Sequence, residues 1–436
     1  MSLIDKRCLQ AALIAAATVV TTGNTLAAGF YLTQIGTPAS LGTAGAANAT
    51  NTAGADAAWT NPAGMTGIDS DVFVAGAQVV VPRMEFDPSR ADAGGEDGGN
   101  AGNMAYIPSA FFVKKVSDRL RLGVSLVAPM GGGVNYGDDF VGRYATYKAE
   151  LAGVGVSPSI GYRVNDRFSI GAGVSVIYTQ YEQGIALNPA ALDPALAGLP
   201  DAKVRFDNAT DLGYQPFAGI TWAMTDRILL GVVYRAEMDV DLEGDVNIRN
   251  WKLPVNKPKV NEIDIGWDNP QWLDVGLRFK VNENNFLFLN GGWQEWSEFS
   301  ENGLEIPTGQ GTVEATLDRD WDDTWYARAG FLHRLDSSRS FAFGISYDSS
   351  PVKDAKRTID LPMDEYYQFS AAYGVGDETG FSYSLGATLM LVGDTEIRQE
   401  TQGVAFAGDF DIVFTDNNRE LKHTYSLLEK NPDPAH

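Results

Sequence analysis

Phe168-Ser169-Ile170-Gly171-Ala172-Gly173-Val174-Ser175-Val176-Ile177-Tyr178 carries the reading of the fold. Its even positions Phe168, Ile170, Ala172, Val174, Val176 and Tyr178 are apolar, whereas Ser169, Gly171, Gly173 and Ser175 between them are small or polar. A strand sends successive side chains to opposite faces, so this stretch has one greasy face backed by one of small groups. The pattern returns with Phe341, Phe343, Ile345 and Tyr347 against Ala342, Gly344, Ser346 and Asp348. It returns again with Phe381, Tyr383, Leu385, Ala387, Leu389 and Leu391 against Ser382, Ser384, Gly386 and Thr388. Nearer the C-terminus, Phe406, Phe410, Ile412 and Phe414 alternate with Ala407, Asp409 and Asp411. A soluble β-sandwich alternates too. Here, however, aromatics stand at the ends of the apolar face, as in the girdles of a barrel at two membrane interfaces.

Connection lengths extend the argument along the chain. About fourteen strand-like stretches begin near residues 72, 104, 119, 150, 167, 212, 227, 263, 284, 321, 339, 364, 380 and 402. Every second gap is a tight polar turn: Ser117-Asp118, Asn165-Asp166, Thr225-Asp226, Asn282 to Asn285, Asp336 to Ser338, and Gly376 to Thr379. The gaps between are mostly long, at 87–103, 130–149, 183–211, 246–262, 298–320 and 350–363. Short periplasmic turns alternating with longer outer loops are the habit of an even-stranded membrane barrel. Closure also removes the unpaired strand edges that hydrocarbon does not tolerate. The expectation is an all-β, transmembrane antiparallel β-barrel over residues 71–416. Its last strand ends on Phe414, and a polar periplasmic tail follows at 417–436.

Composition narrows what the 436 residues can do. With 33 basic against 56 acidic residues and a net charge of -23, the chain lacks the basic surface that binding phosphates requires, which speaks against nucleic acid. One cysteine, Cys8, excludes a disulfide scaffold and a Cys-based zinc site. Residues 1–27 read as a secretory signal peptide: Lys6 and Arg7 precede an apolar run from Leu9 to Val20, and Thr25-Leu26-Ala27 supplies small residues for cleavage. Past that segment no stretch reaches the roughly 18 apolar residues of a spanning helix. Export combined with a barrel places the protein in a Gram-negative outer membrane.

Residues 28–70 do not belong to the wall. They are rich in Gly, Ala, Thr and Asn, which suits a flexible leader, yet they include Phe30, Tyr31, Leu32, Ile35, Leu41, Trp59 and Met65. A solvated leader does not need these, and the other reading is a hatch folded inside the lumen.

An ordered set of motifs resembles the FadL family of outer-membrane transporters for long-chain fatty acids and other hydrophobic compounds. The set runs Ala28-Gly29-Phe30, Asn61-Pro62-Ala63, Val127-Ala128-Pro129-Met130-Gly131, Gly142-Arg143-Tyr144, Pro158-Ser159 and Gly161-Tyr162-Arg163-Val164-Asn165-Asp166. It continues with Trp293, Trp296-Ser297-Glu298-Phe299, Asp323-Thr324-Trp325 and Ser350-Pro351-Val352. The resemblance implies a fourteen-stranded monomeric barrel with an N-terminal hatch, set among outer-membrane lipid and lipopolysaccharide. It also implies a route: an outer-loop groove, a lumen pocket beside the hatch, and a sideways exit near a kinked third strand. Asn61, Pro62 and Ala63 would be the hatch element at that kink, and Phe30 would lie against the pocket.

The loop from Gln183 to Ala202 holds Ile185, Leu187, Leu192, Leu196 and Leu199. They either pack a loop helix onto the barrel mouth or form the entry groove, which the resemblance favours. Met130, Val134, Tyr136, Phe140, Val141 and Tyr144 would make its other wall. A buried ligand carboxylate needs a cation or hydrogen-bond donors. Arg163, Arg235, Arg278 and Arg328 fall on the small-residue face of their strands, and Arg143 sits at a loop end. Each either pairs with a lumen acid or holds the ligand, with Arg143, Arg163 and Arg328 taken as candidate substrate contacts. The inner positions Ser175, Ile177, Thr179 and Tyr181 offer no base, and Asp320, Asp322 and Asp323 stand before Trp325. That departure from the family's pattern keeps a neutral or hydroxylated ligand in view.

Other chemistry finds little footing. A hydroxyl nucleophile needs a nearby base, the histidines are confined to His333, His423 and His436, and G-x-S-x-G is missing. The acidic loop Asp87 to Asn100, with Asp92, Glu96 and Asp97, lacks EF-hand spacing. The expectation is a passive transporter of long-chain fatty acids or related hydrophobic compounds, without catalysis, metal or cofactor. The alternatives are export of oxidised fatty acids and uptake of aromatic or alkane hydrocarbons. A diffusion porin would instead need an open polar lumen.

Overall fold

In a soluble protein the apolar face of each strand is the covered one; here the order is inverted. In the computed structural model Phe343 and Ile345 are 47% and 53% exposed, while Ser346 on the opposite face of the same strand is 5% exposed. Ile170, Leu273, Leu287, Leu289, Phe369 and Leu385 are likewise exposed, and Ser169, Ser175, Asn290 and Ser370 are buried. A continuous apolar exterior around a polar interior is the solvation pattern of a wall facing lipid. The structure describes residues 35, 37–253, 257, 260–308, 311–376, 381–393 and 395–425. The expected signal peptide at 1–27 and Phe30 lie outside the described residues.

The wall is a closed antiparallel sheet of fourteen passes. The first six are β1 (Asp71–Ala91), β2 (Ala105–Lys115), β3 (Leu120–Asn135), β4 (Lys148–Arg163), β5 (Phe168–Leu187) and β6 (Ala202–Ala223). The next four passes are each broken into two segments. These are β7 (Ile228–Arg235) with β8 (Met238–Arg249), and β9 (Glu262–Asn269) with β10 (Trp272–Lys280). They are followed by β11 (Asn285–Gln294) with β12 (Glu301–Thr308), and β13 (Gly311–Asp318) with β14 (Thr324–Arg334). Then come β15 (Arg339–Asp348), β16 (Tyr366–Gly376), β17 (Phe381–Val392) and, after the short β18 (Ile397–Thr401), β19 (Val404–Tyr425). Closure joins first to last, from Asp71↔Tyr425 to Ala91↔Phe406.

The barrel with its hatch agrees with the sequence, and the differences sit at strand ends. β6 begins at Ala202, not near 212, and pairs with β5 up to Leu187↔Ala202. Much of the expected loop 183–211 is therefore wall, where the alternation continues with Val204 and Phe206 buried and Lys203, Arg205 and Asp207 half-buried between them. β13 likewise occupies part of the expected loop 298–320. The last strand does not stop at Phe414: β19 pairs on to Tyr425 with β1 and to His423 with β17, so the wall overruns the expected boundary at 416. Residues 417–425 carry no apolar alternation, but backbone pairing does not require it.

The wall has one local defect near the top of β3. β2 pairs with β3 from Lys115↔Arg121 to Ala110↔Leu126, while Ala105 to Ser109 of β2 pair only with β1 among the described residues. On its other side β3 shifts register against β4 between Val127 and Met130, leaving Ala128 and Pro129 as a bulge. Proline cannot donate to a ladder, and bulges redirect a strand.

Inside the lumen, helix α1 (Pro38–Gly42), a 3-10 turn at Asn48–Thr50, helix α2 (Ala57–Thr60) and a 3-10 turn at Pro62–Gly67 form the hatch. Thr37 and Asn61 cap the turns that follow them, each ahead of a proline at the first helical position. Ala44, Ala46, Ala49, Ala57, Ala58 and Ala63 are fully buried. The hatch packs so closely that a Cβ on Gly344 of β15 would fall 2.2 Å from the carbonyl carbon of Thr43.

Candidate functional site

Above the hatch, at the loop end of the lumen, lies a cavity of about 400 Å³. Its apolar side comes from wall segments whose inward positions are large rather than small: Leu151, Tyr181, Ile185, Phe206, Ile265 and Trp267. The rings form a continuous series. Tyr181 meets Trp267 at 6.0 Å, Trp267 meets Phe299 at 6.0 Å, and Phe299 meets Trp321 at 4.7 Å. Trp296 stands 5.6 Å from Trp321 and is fully buried. Gly132 and Gly133 of β3 complete that wall just beyond the Ala128-Pro129 bulge.

The polar side is a buried ion pair. Arg319, at the end of β13, donates to Asp360 at 2.6 Å and 3.4 Å and to the Thr358 hydroxyl at 2.8 Å. Its guanidinium carbon lies 5.7 Å from the Phe299 ring and 5.9 Å from the Trp321 ring. Burial alone would push the Asp360 carboxyl up, but the charge of Arg319 and hydrogen bonds from Arg319 and Thr358 hold it below the usual carboxylate range. Asp360 and Leu361 reach the cavity because the loop 350–363, expected only to be long and external, folds into the mouth. Arg357, fully buried, fixes that fold by donating to the carbonyls of Met363 and Glu396, and Tyr136 donates to the Ile359 carbonyl at 2.9 Å.

Of the residues expected at the entry groove, Ile185 and Tyr144 line this cavity; among the other described ones, several brace it. Phe140 is fully buried, stacked on Tyr136 at 4.1 Å and edge-on to Phe86 at 5.7 Å. Arg143 pairs with Asp201 at 2.8 Å and donates to the Gly94 carbonyl, while its neighbour Tyr144 reaches the lining. Leu187 is half-buried against the apolar cluster, Leu196 is half-buried and Leu199 exposed. They lie on or after helix α3 (Pro189–Leu192) or just before it, and the Leu192 side chain is outside the described residues.

The inward arginines are corrected in a consistent way: most hold the hatch main chain. Arg163 donates to the Thr66 carbonyl, Arg121 to that of Ile68 at 2.6 Å, Arg235 to that of Trp59, and Arg278 to the Thr52 hydroxyl at 2.8 Å. Arg328 pairs with Asp348 at 3.2 Å and lies 3.8 Å from the Tyr326 ring, under Gly45 of the hatch. A lumen acid therefore takes Arg328, whereas Arg163 is claimed by a carbonyl. The cation that does reach the cavity is Arg319, which alternation does not mark because it stands in an irregular acidic stretch.

Asn61, Pro62 and Ala63 are placed against β4 to β6 and not at the β3 bulge. Cβ atoms on Gly161, Gly171 and Gly219 would lie 2.4 Å from the Pro62 oxygen, 2.4 Å from the Ala63 nitrogen and 2.3 Å from the Asn61 side-chain oxygen. The Asn61 amide donates to the Ala49 carbonyl at 2.7 Å and the Ile220 carbonyl at 3.0 Å, and its oxygen accepts from Ala63 N at 3.1 Å. Helix α2 packs on β2, β3 and β4, and the Pro62–Gly67 turn reaches β3 as well. His333 at the end of β14 bonds Asn285 at 2.8 Å, away from the cavity.

A lipid-facing barrel, plugged from within and holding an aromatic cavity at its loop end, defines an outer-membrane channel for apolar compounds rather than an open aqueous pore. The chain belongs to the family described as outer membrane protein transport protein (OMPP1/FadL/TodX), whose model matches residues 18–420. It is 23% identical over 380 residues to the long-chain fatty acid transport protein of Salmonella typhi, covering 81% of this chain and 87% of that one. It is 22% identical to outer membrane protein P1 of Haemophilus influenzae, covering 86% of this chain and 85% of that one. The fold superposes on a Pseudomonas aeruginosa FadL homologue with a TM-score of 0.81 at 22% identity, over 92% of this chain and 100% of the other. On the Pseudomonas putida toluene transporter TodX the score is 0.66 at 17% identity, over 85% and 94%. The protein is an outer-membrane transporter of this family.

Proposed function

We propose that this chain carries long-chain fatty acids or related hydrophobic compounds passively across the outer membrane, as a monomer set in lipid and lipopolysaccharide. The observation that carries the reading is the aromatic cavity between outer loops and hatch, one side of which is β3 just past the bulge where pairing with β2 stops. A ligand lands among the outer loops around Leu187, Leu196 and Leu199, enters the cavity, and leaves sideways between β2 and β3. Movement of the hatch and α2 opens the path. Burying each CH2 is worth roughly 0.8 kcal/mol, so a long tail held in one rigid pocket would leave slowly. A second arrangement of the hatch lowers that barrier. Relatives named for long-chain fatty acids and for toluene support an apolar cargo without fixing it. Catalysis plays no part in this route.

Uptake of labelled oleate at low concentration by cells deleted for this chain, with and without a complementing copy, tests the reading. Restored uptake supports import. Unchanged uptake with oxidised fatty acids retained in the deletion strain makes the chain an exporter, and no effect on either redirects the test to aromatic and alkane hydrocarbons.

A further inference from the structure

The charges around the cavity are already spoken for. Among the described residues that line it stand one cation, Arg319, and two carboxylates, Asp360 and Glu150. Asp360 takes Arg319 at 2.6 Å, and Thr358 takes a further N–H of the same guanidinium. Bases beside the lining on β4 and β6 are committed as well. Lys148 bridges Glu150 at 3.0 Å and Glu182 at 3.1 Å, and Arg205 bridges Glu182 at 3.6 Å and Asp207 at 2.8 Å.

We infer that Asp360 sets the ligand class and narrows the proposed range of cargoes to the compounds related to fatty acids. It occupies the carboxylate position on Arg319, so the cavity takes uncharged or hydroxylated hydrophobic compounds and rejects ionised carboxylates, ionised fatty acids included. This rests on the cavity being the ligand site of the proposed route. An ionised headgroup that enters must either go unpaired in an apolar space or displace Asp360, which then remains as a buried charge without its partner. A hydroxyl meets neither cost. It can donate to Asp360 while that carboxylate keeps Arg319, and Gln183, Thr401 and Gln402 on the lining offer further partners. The ring series from Tyr181 to Phe299 accepts an alkyl tail or an aromatic ring through area alone.

Two probes that differ only in the headgroup test this: ω-bromoundecanol and ω-bromoundecanoate, titrated at neutral pH into the purified full chain in amphipol. The bromine quenches tryptophan, and the saturable component that disappears in Trp267→Phe reports the cavity. The wild-type protein should bind the alcohol at least about tenfold more tightly than the acid, a typical size for a buried charge mismatch. In Asp360→Asn, acid affinity should rise by about tenfold or more while alcohol affinity moves by less than about threefold. Heat-dependent gel mobility checks that the variant barrel is folded, and if it is not, the wild-type comparison decides alone. Equal binding of the two probes by the wild type, or acid affinity unmoved in a folded Asp360→Asn, overturns the inference and leaves the cavity as ligand site. Saturable quenching by neither probe removes the cavity reading and this inference with it.

Discussion

Replacing Asn61 by aspartate keeps its shape and removes both of its donors. The native amide gives one N–H to the Ala49 carbonyl within the hatch and one to the Ile220 carbonyl of the wall, and its oxygen accepts from Ala63 N. The site is fully buried. An ionised carboxylate there would face two carbonyl oxygens, so the docked hatch is compatible only with the protonated acid, which restores one of the two bonds. Holding a carboxyl protonated at about pH 7 against an ordinary value near 3.9 costs roughly 4 kcal/mol at about 1.36 kcal/mol per unit. The second lost bond adds about 1 kcal/mol. Together they raise the ratio of undocked to docked hatch by about four orders of magnitude. The sign with pH follows from linkage: the carboxyl has a raised pKa in the docked state, which therefore binds more protons and gains stability as pH falls toward the ordinary value. Asn61→Ala loses the same donors without a titrating group, at about 1–3 kcal/mol. Ion conductance through single barrels in planar bilayers should thus be large for Asn61→Asp at about pH 8 and shrink toward about pH 5, while Asn61→Ala leaks less and without pH dependence. A folded Asn61→Asp barrel that stays sealed at alkaline pH would refute the claim that Asn61 holds hatch to wall.

Deleting Pro129 alone, which sets Ala128 opposite Val154, should restore continuous β3–β4 register and leave a folded, inserted barrel whose uptake of hydrophobic cargo falls by about tenfold or more, measured by labelled-substrate accumulation. Trp267→Ala should weaken cavity binding by roughly tenfold through lost aromatic area, with conductance unchanged. Arg163→Met should loosen the hatch and raise conductance while leaving ligand affinity within about threefold, because its partner is the Thr66 carbonyl and not the ligand. His333→Ala should leave transport as it is, and a hydrolytic activity lost on that change would restore the enzyme hypothesis.

Alternation made the wall legible because lipid enforces it residue by residue: Phe343 and Ile345 can only face out, and Gly344 and Ser346 can only face in. Where the strands rise above the membrane that pressure ends, as in β6 from Ala202. β19 beyond Phe414 instead runs beside Leu389 and Leu385 of β17 toward the short-turn end, and was hidden because Asn417, Asn418, Arg419 and Glu420 interrupt any apolar alternation. The inward arginines were visible as inward, but their partners were not, since a carbonyl acceptor leaves no trace in composition. Arg319 and Asp360 were missed because they are brought together by a loop that folds into the mouth, a contact spanning 41 residues with no periodicity to announce it. Asn61-Pro62-Ala63 was recognised as a motif; its place against Gly161, Gly171 and Gly219 depends on which glycines happen to face it across the lumen.

The wall grips the hatch by its carbonyls at Trp59, Thr66 and Ile68, and by a few polar side chains, the Asn61 amide and the Thr52 and Thr66 hydroxyls. Every amino acid carries a carbonyl, so beyond those few polar side chains the seal asks of the hatch sequence small volume and the right path. Other hatch side chains can drift, and cargo preference can be rewritten at the cavity, without reopening the membrane to ions. A family that diversifies its cargoes under the constant demand for an intact permeability barrier gains from keeping those two inheritances apart.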